Sequence, residues 1–107
     1  MNVVIRGGRV LDPASELDTT ADVLVVDGAV AEIAPDLEVG DDVREVNASG
    51  SWVHPGLIDL GPRLGEPGLE YLETIDTATR AAIAGGFTAL APTPQTSPVI
   101  ACAELVR

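Results

Sequence analysis

The sequence predicts an α/β chain in two parts. Residues 1–54 read as a small antiparallel β-sandwich segment, and residues 55–107 as the first two β/α units of a parallel barrel of the TIM type. Three observations predict it. The first half is a series of short β-branched runs broken by turn residues every few positions. At His54-Pro55-Gly56 the pattern changes to a compact apolar strand. Beyond it come an irregular loop, an amphipathic helix, a second strand and a second loop, the order of a β/α repeat.

In chain order, Asn2 to Arg6 is a strand by composition, Gly7-Gly8 a turn, and Arg9-Val10-Leu11 a second strand stopped by Asp12-Pro13. Ala14 to Ala21 reads as a polar connection. Asp22 to Asp27 and Ala29 to Ala34 are two strands joined at Asp27-Gly28, a strong short-range hairpin signal. Val43–Val46 and Ser51–Val53 are two more short strands around the turn Asn47 to Gly50, so the whole reads as an antiparallel meander.

Leu57-Ile58-Asp59-Leu60 is apolar enough for a parallel strand buried on both faces. From Tyr71 to Ala84, the residues Leu72, Ile75, Ala78, Ala82 and Ile83 share one helical stripe, and Gly85-Gly86 ends the helix. Phe87 to Ala91 is a strand and Pro92 to Pro98 a proline-stiffened loop. A second helix is expected to start at Val99. Two such units cannot close a barrel, which takes about eight and roughly 250 residues. The segment is expected to be a piece of a longer protein rather than one that pairs its open sheet edges with another copy.

Composition narrows the chemistry. The net charge is −11, and the six basic residues are all arginine, so a nucleic-acid partner is not expected. With no lysine, neither a Schiff base nor a carbamylated-lysine metal bridge can come from this stretch. Cys102 is the single cysteine, which precludes an internal disulfide and reads as a small buried apolar group. No run is long enough to span a membrane and Met1 to Gly7 is too short in apolar residues for a signal peptide. A cytoplasmic location is expected.

Chemistry in a β/α unit belongs to the loop at the carboxyl end of the strand. Here that loop runs from Asp59 to Gly68 and carries two prolines, Arg63 and Glu66, with no pair of metal ligands. Asp59 reads as a structural carboxylate serving loop amides. His54, the sole histidine, precedes the strand and reads as an exposed or hydrogen-bonded side chain. Glu66 is placed to pair with Arg63 across the loop.

Pro55-Gly56-Leu57-Ile58-Asp59 and the stretch from Arg80 to Thr88 resemble the dihydroorotases of the cyclic amidohydrolase superfamily. Glu66-Pro67-Gly68, Glu73-Thr74, Thr96 and Pro98 continue the likeness at the same spacing, over essentially the whole chain. The resemblance implies an amidohydrolase barrel and, in active relatives, a zinc centre that opens a cyclic amide. It also implies where this chain departs. The family pattern after the strand aspartate is Asp-x-His-x-His-x-Arg-x-Pro-Gly, with two zinc-binding histidines and an arginine that binds the substrate carboxylate. Gly61 and Arg63 stand at the histidine positions and Gly65 at the arginine. In the second loop, Gln95 of Thr93-Pro94-Gln95-Thr96 stands at the substrate-binding asparagine.

Glycine offers no donor and a guanidinium repels a dication, so no metal and no catalytic residue is expected in this segment. What the resemblance then implies is a non-catalytic dihydroorotase homologue in a homo- or hetero-oligomer, with aspartate transcarbamoylase as the partner it supports. Two other readings stand beside it. One is a working zinc amidohydrolase whose ligands lie beyond residue 107, and the other a stand-alone protein-interaction module.

Overall fold

The computed structural model describes residues 1–93. The proline-rich loop beyond Thr93, Gln95, the helix expected from Val99 and Cys102 lie outside them. The chain divides into two compact units, Met1–Pro55 and Gly56–Arg107.

In the first unit, β1 (Val3–Asp12), β2 (Leu17–Val26), β3 (Ala29–Ala34), β4 (Arg44–Asn47) and β5 (Trp52–Val53) form one mixed sheet. β3, β2 and β1 are antiparallel neighbours, and the hairpin expected at Asp27-Gly28 is present, both residues having positive φ. β4 and β5, expected to be antiparallel, instead lie parallel to β1 along its other edge. Residues 35–43 carry the chain back across the sheet, which a hairpin meander does not do. The first unit therefore forms a single five-stranded mixed sheet rather than an antiparallel sandwich.

Two further boundaries differ from expectation. Gly7-Gly8 does not turn the chain; β1 runs through it with one extra residue, its register with β2 shifting between Ile5 and Gly8. Gly7 takes φ +68°, a value that glycine adopts without cost, and so makes a bulge. Past the bulge, side-chain parity inverts, which puts Ile5 and Val10 on the same face with Ala21, Val23, Val25, Leu17 and Val53. The stretch expected to be a polar connection is a short 3₁₀ turn, Pro13–Ser15, followed by the first half of β2. Its Asp18, Thr19 and Thr20 are exposed, so no apolar alternation betrays the strand.

On the opposite face lies Val4, the one fully buried side chain of the unit. That face is closed by a polar clasp. Asp22, only 6% exposed, accepts from Arg6 Nη1 at 2.8 Å, the Gly7 amide at 2.9 Å and the Leu37 amide at 3.1 Å. Arg6 also donates to the Leu37 carbonyl and to Glu45 of β4. One buried carboxylate thus fixes the bulge and pins the crossing loop to β1. The arginine and the two amides hold the Asp22 carboxyl below its ordinary pKa, against the opposing effect of desolvation.

The second unit has β6 (Leu57–Asp59), α1 (Ile75–Ala84) and β7 (Phe87–Leu90), with β6 and β7 paired in parallel. This is the β-α-β order expected. α1 begins at Ile75 rather than Tyr71 because Thr74 caps it: its hydroxyl accepts from the Thr77 amide, and the Thr77 hydroxyl accepts from the Thr74 amide. β6 is not buried on both faces among the described residues. Within β6, Leu57 is 43% exposed and Ile58 61%, and Leu60, just past the strand, is 79% exposed.

Candidate functional site

The parallel pairing of β6 and β7 brings the loops that follow them to the same end of the sheet. The Ala91 amide donates to the Asp59 carbonyl at 2.8 Å, and the Thr93 amide to the Pro62 carbonyl at 3.3 Å. The start of the second loop is therefore laced to the middle of the first. Asp59 ends β6 with its Oδ1 accepting from the Gly61 amide at 3.1 Å, a short turn stabilised by the carboxylate itself.

From Gly65 onward the first loop folds against the start of α1. Gly65 is buried with φ +75°, and its carbonyl accepts from the Leu69 amide at 2.7 Å. The Leu69 carbonyl in turn accepts from the amides of Leu72 and Glu73. Glu70 reaches back to the Gly68 amide at 2.9 Å, which lowers its pKa. The Glu73 carboxylate accepts from the Thr77 hydroxyl beside the helix cap. Small hydrogen-bonded turns thus hold Gly65–Glu73, while Gly61 and Arg63 stand exposed before them.

Arg63, Gly65, Leu69, Leu72 and Glu73 line a cavity of about 160 Å³, and Asp59 lines another of about 270 Å³ with Pro62, Leu64 and Glu73. The salt bridge expected between Arg63 and Glu66 does not form: the two are not within 4.0 Å, and the ion pair of this unit among the described residues is Arg80–Asp76 at 3.0 Å. Glu66 is half-buried, and the loop turns between the two charges at Gly65, which takes φ +75°. His54 belongs to the first unit, exposed, with Nδ1 2.7 Å from the Pro55 carbonyl.

One polar group has no counterpart in the sequence reading. The Thr93 hydroxyl is buried and without a hydrogen-bond partner among the described residues. A threonine between two prolines reads as loop polarity, and only the pairing of the two loops encloses it. As a divalent-metal site, the first loop offers two carboxylates, Asp59 and Glu66, beside a glycine and a guanidinium, and no three metal-ligating side chains cluster among the described residues. That donor set does not fit zinc, which needs three or four nitrogen, sulfur or oxygen ligands.

Residues 50–105 match the family model described as dihydro-orotase-like. The dihydroorotase of Anaeromyxobacter sp. (strain K) is 52% identical over 103 residues, covering 96% of this chain and 24% of that protein. The dihydroorotase of Syntrophobacter fumaroxidans is 50% identical over 110 residues, covering 99% of this chain and 25% of its own length. The chain thus spans about a quarter of the length of the relatives it matches. Among solved structures, the L-hydantoinase (dihydropyrimidinase) of Arthrobacter aurescens is similar at TM-score 0.81 and 27% identity, over 96% of this chain and 23% of that one. A D-hydantoinase is similar at TM-score 0.75 and 27% identity, over 88% of this chain and 20% of that one. With the family model matching more than half of its residues, the chain belongs to the dihydro-orotase-like family.

Proposed function

We propose that this chain is the N-terminal part of a dihydroorotase-like protein of pyrimidine biosynthesis that does not hydrolyse dihydroorotate. In this reading it serves as a structural partner in the assembly of aspartate transcarbamoylase in the cytoplasm. The β6-α1-β7 unit would be the start of an amidohydrolase barrel, with the loop after β6 at its working end. The observation that carries the reading is the pair Gly61 and Arg63, standing in that loop at the two histidine positions of the family pattern. Hydrolysis of a cyclic amide needs a water of lowered pKa, and zinc supplies that by coordination. A permanent cation at one ligand position and no side chain at the other oppose the ion there. Gly65 at the arginine position removes the bidentate grip on a carboxylate as well.

The rest of the chain keeps its resemblance to dihydroorotases, with identities near 50%. This supports a working amidohydrolase as the second reading, its metal held by ligands outside this segment. One experiment separates the two. The full-length protein is purified with zinc present, its metal content measured, and dihydroorotate turnover assayed. The expected result is no stoichiometric zinc and no turnover above background. Zinc at one or more per chain together with turnover would establish the second reading. Purification from its own cells without any transcarbamoylase attached would remove the proposed partner.

A further inference from the structure

We infer that Asp27, at the tip of the β2–β3 hairpin, is a site of spontaneous backbone isomerisation through its junction with Gly28, and that the change releases the edge strand β3 from the sheet. The reaction needs an aspartyl carboxyl group, the amide nitrogen that follows it, and room for the two to meet. The Gly28 nitrogen bonds to Asp27 Cγ, the amide proton and the carboxyl hydroxyl leave together as water, and an imide ring closes. Water then adds back. Addition at Cγ restores aspartate, whereas addition at the Asp27 main-chain carbonyl carbon breaks its bond to the Gly28 nitrogen. The chain then continues through the Asp27 side chain. Nothing is oxidised or reduced, and the water lost is the water regained.

Asp27 meets each requirement. It and Gly28 are both exposed. Among the described residues no donor holds the Asp27 carboxyl group, and the Gly28 amide donates to no acceptor. Glycine puts no Cβ beside its nitrogen, and one built at residue 28 would meet nothing within 4 Å, so the tip is open to water. The turn is held by the strand pair Val26–Ala29 and by the Asp27 amide, which donates to Asn2 Oδ1 at 3.4 Å. Within β3 every residue but Ala34 is exposed, so little apolar burial opposes opening of the tip.

The other aspartates each lack something. Asp12 is followed by proline, whose nitrogen has no proton to lose. Both oxygens of Asp18 are held by Arg9 at 2.8 Å, and Asp22 is buried beneath three donors. Asp36, Asp42 and Asp76 are followed by amides already donating, to Asp22, Gly40 and Thr74 respectively. Asp41 and Asp59 precede residues whose side chains crowd the attacking nitrogen. Only Asp27 combines a free carboxyl, a free amide and a glycine.

The consequence follows from the tightness of the turn. Its two residues take φ +49° and +81°, the left-handed values that close a two-residue hairpin. Isomerisation adds a main-chain carbon within it. The longer tip cannot close the Val26–Ala29 pair and also keep Val25 opposite Val30. β3 is an edge strand paired with β2 alone, so it separates, while β2 stays held by β1 and by the Asp22 clasp.

The test ages the folded full-length protein at physiological temperature and near-neutral pH in water enriched in heavy oxygen. Peptide mapping with electron-transfer fragmentation then locates isoaspartate and the heavy oxygen atom that ring opening installs. Isoaspartate at Asp27 is expected to exceed that at any other aspartate of residues 1–93 by at least about tenfold. Asn2→Ala, which frees the Asp27 amide, should speed its appearance about two- to fivefold. In the aged protein the β3 amides should exchange about tenfold or more faster than in fresh protein, with those of β1 unchanged. Asp27→Ser keeps a turn-tolerant residue without a carboxyl group, and its β3 should exchange alike before and after ageing. An absence of isoaspartate and heavy oxygen at Asp27, or equal amounts at another aspartate of residues 1–93, would overturn the site. Unchanged β3 exchange in modified chains, or the same ageing of β3 in Asp27→Ser, would overturn the release of the strand.

Discussion

Replacing Val4 by alanine tests whether the first unit is held from both faces of its sheet. Val4 has no exposed surface and sits opposite Leu24 of β2 and Glu45 of β4. It shares its face with Arg6, before the bulge, so the Asp22–Arg6–Leu37 clasp closes over it. Removing one buried methyl group costs about 0.5–1.5 kcal/mol once the void is included. Two methyl groups at a site walled by a pinned loop therefore cost about 1–3 kcal/mol. Amide hydrogen exchange of β1 in the full-length protein reads this directly, since the unit's opening free energy sets protection. The β1 amides should exchange about 5- to 150-fold faster, a tenfold change for each 1.4 kcal/mol. Glu32→Ala, on the exposed strand β3, is the control and should move the same amides by less than about 0.5 kcal/mol. If Val4→Ala is no more disruptive than Glu32→Ala, the clasp does not seal that face.

Three further outcomes are expected. The Asp22 carboxyl is held below its ordinary value of 3.8, so its contribution is fully present above that pH and drains away as pH falls through the lower folded value; an acid titration of Asp22→Asn should start from a lower stability and show a flatter acid limb. Thr74→Ala removes the hydroxyl that accepts from the Thr77 amide and should cost about 1 kcal/mol, seen as faster exchange in the first turn of α1. Gly8→Ala drives a Cβ to 2.5 Å from Val53 Cγ2 and should destabilise by about 1–3 kcal/mol, with Val53→Ala in the same chain recovering part of the loss in a thermal melt.

How far the sequence discloses the fold varies with how local the cause is. The Asp27-Gly28 hairpin, the stop at Gly85-Gly86 and the β6-α1-β7 order are legible because turn residues and helical periodicity act within a few positions. The continuity of β1 is not, because two glycines are as apt for a bulge as for a turn, and the choice is made by Asp22, fourteen residues past Gly8. The parallel setting of β4 and β5 is equally hidden, since four residues of Arg-Glu-Val-Asn pair alike in either direction. In the loop, the residue types at 61, 63 and 65 are plain, but what separates them is not: only the backbone reveals that Gly65 is wedged under Glu73 and Gly61 stands clear. The pairing proposed for Arg63 and Glu66 fails for a similar reason, three residues of spacing being compatible with a turn that keeps the charges apart.

The place of β1 between β2 and β4 has a consequence for how the chain is made. Ribosomes release a chain from its amino-terminal side, so β1, β2 and β3 can assemble as an antiparallel ribbon once Ala34 has emerged. The other margin of β1 must then wait for Arg44–Asn47 and Trp52–Val53, some forty residues downstream of their partners. Throughout that interval the nascent polypeptide presents the bare margin of Val3–Val10 to anything nearby, including the same segment on a neighbouring polysome. A pause that holds residues 34–53 inside the ribosome should therefore raise misassembly more than an equal pause placed once residue 55 has emerged.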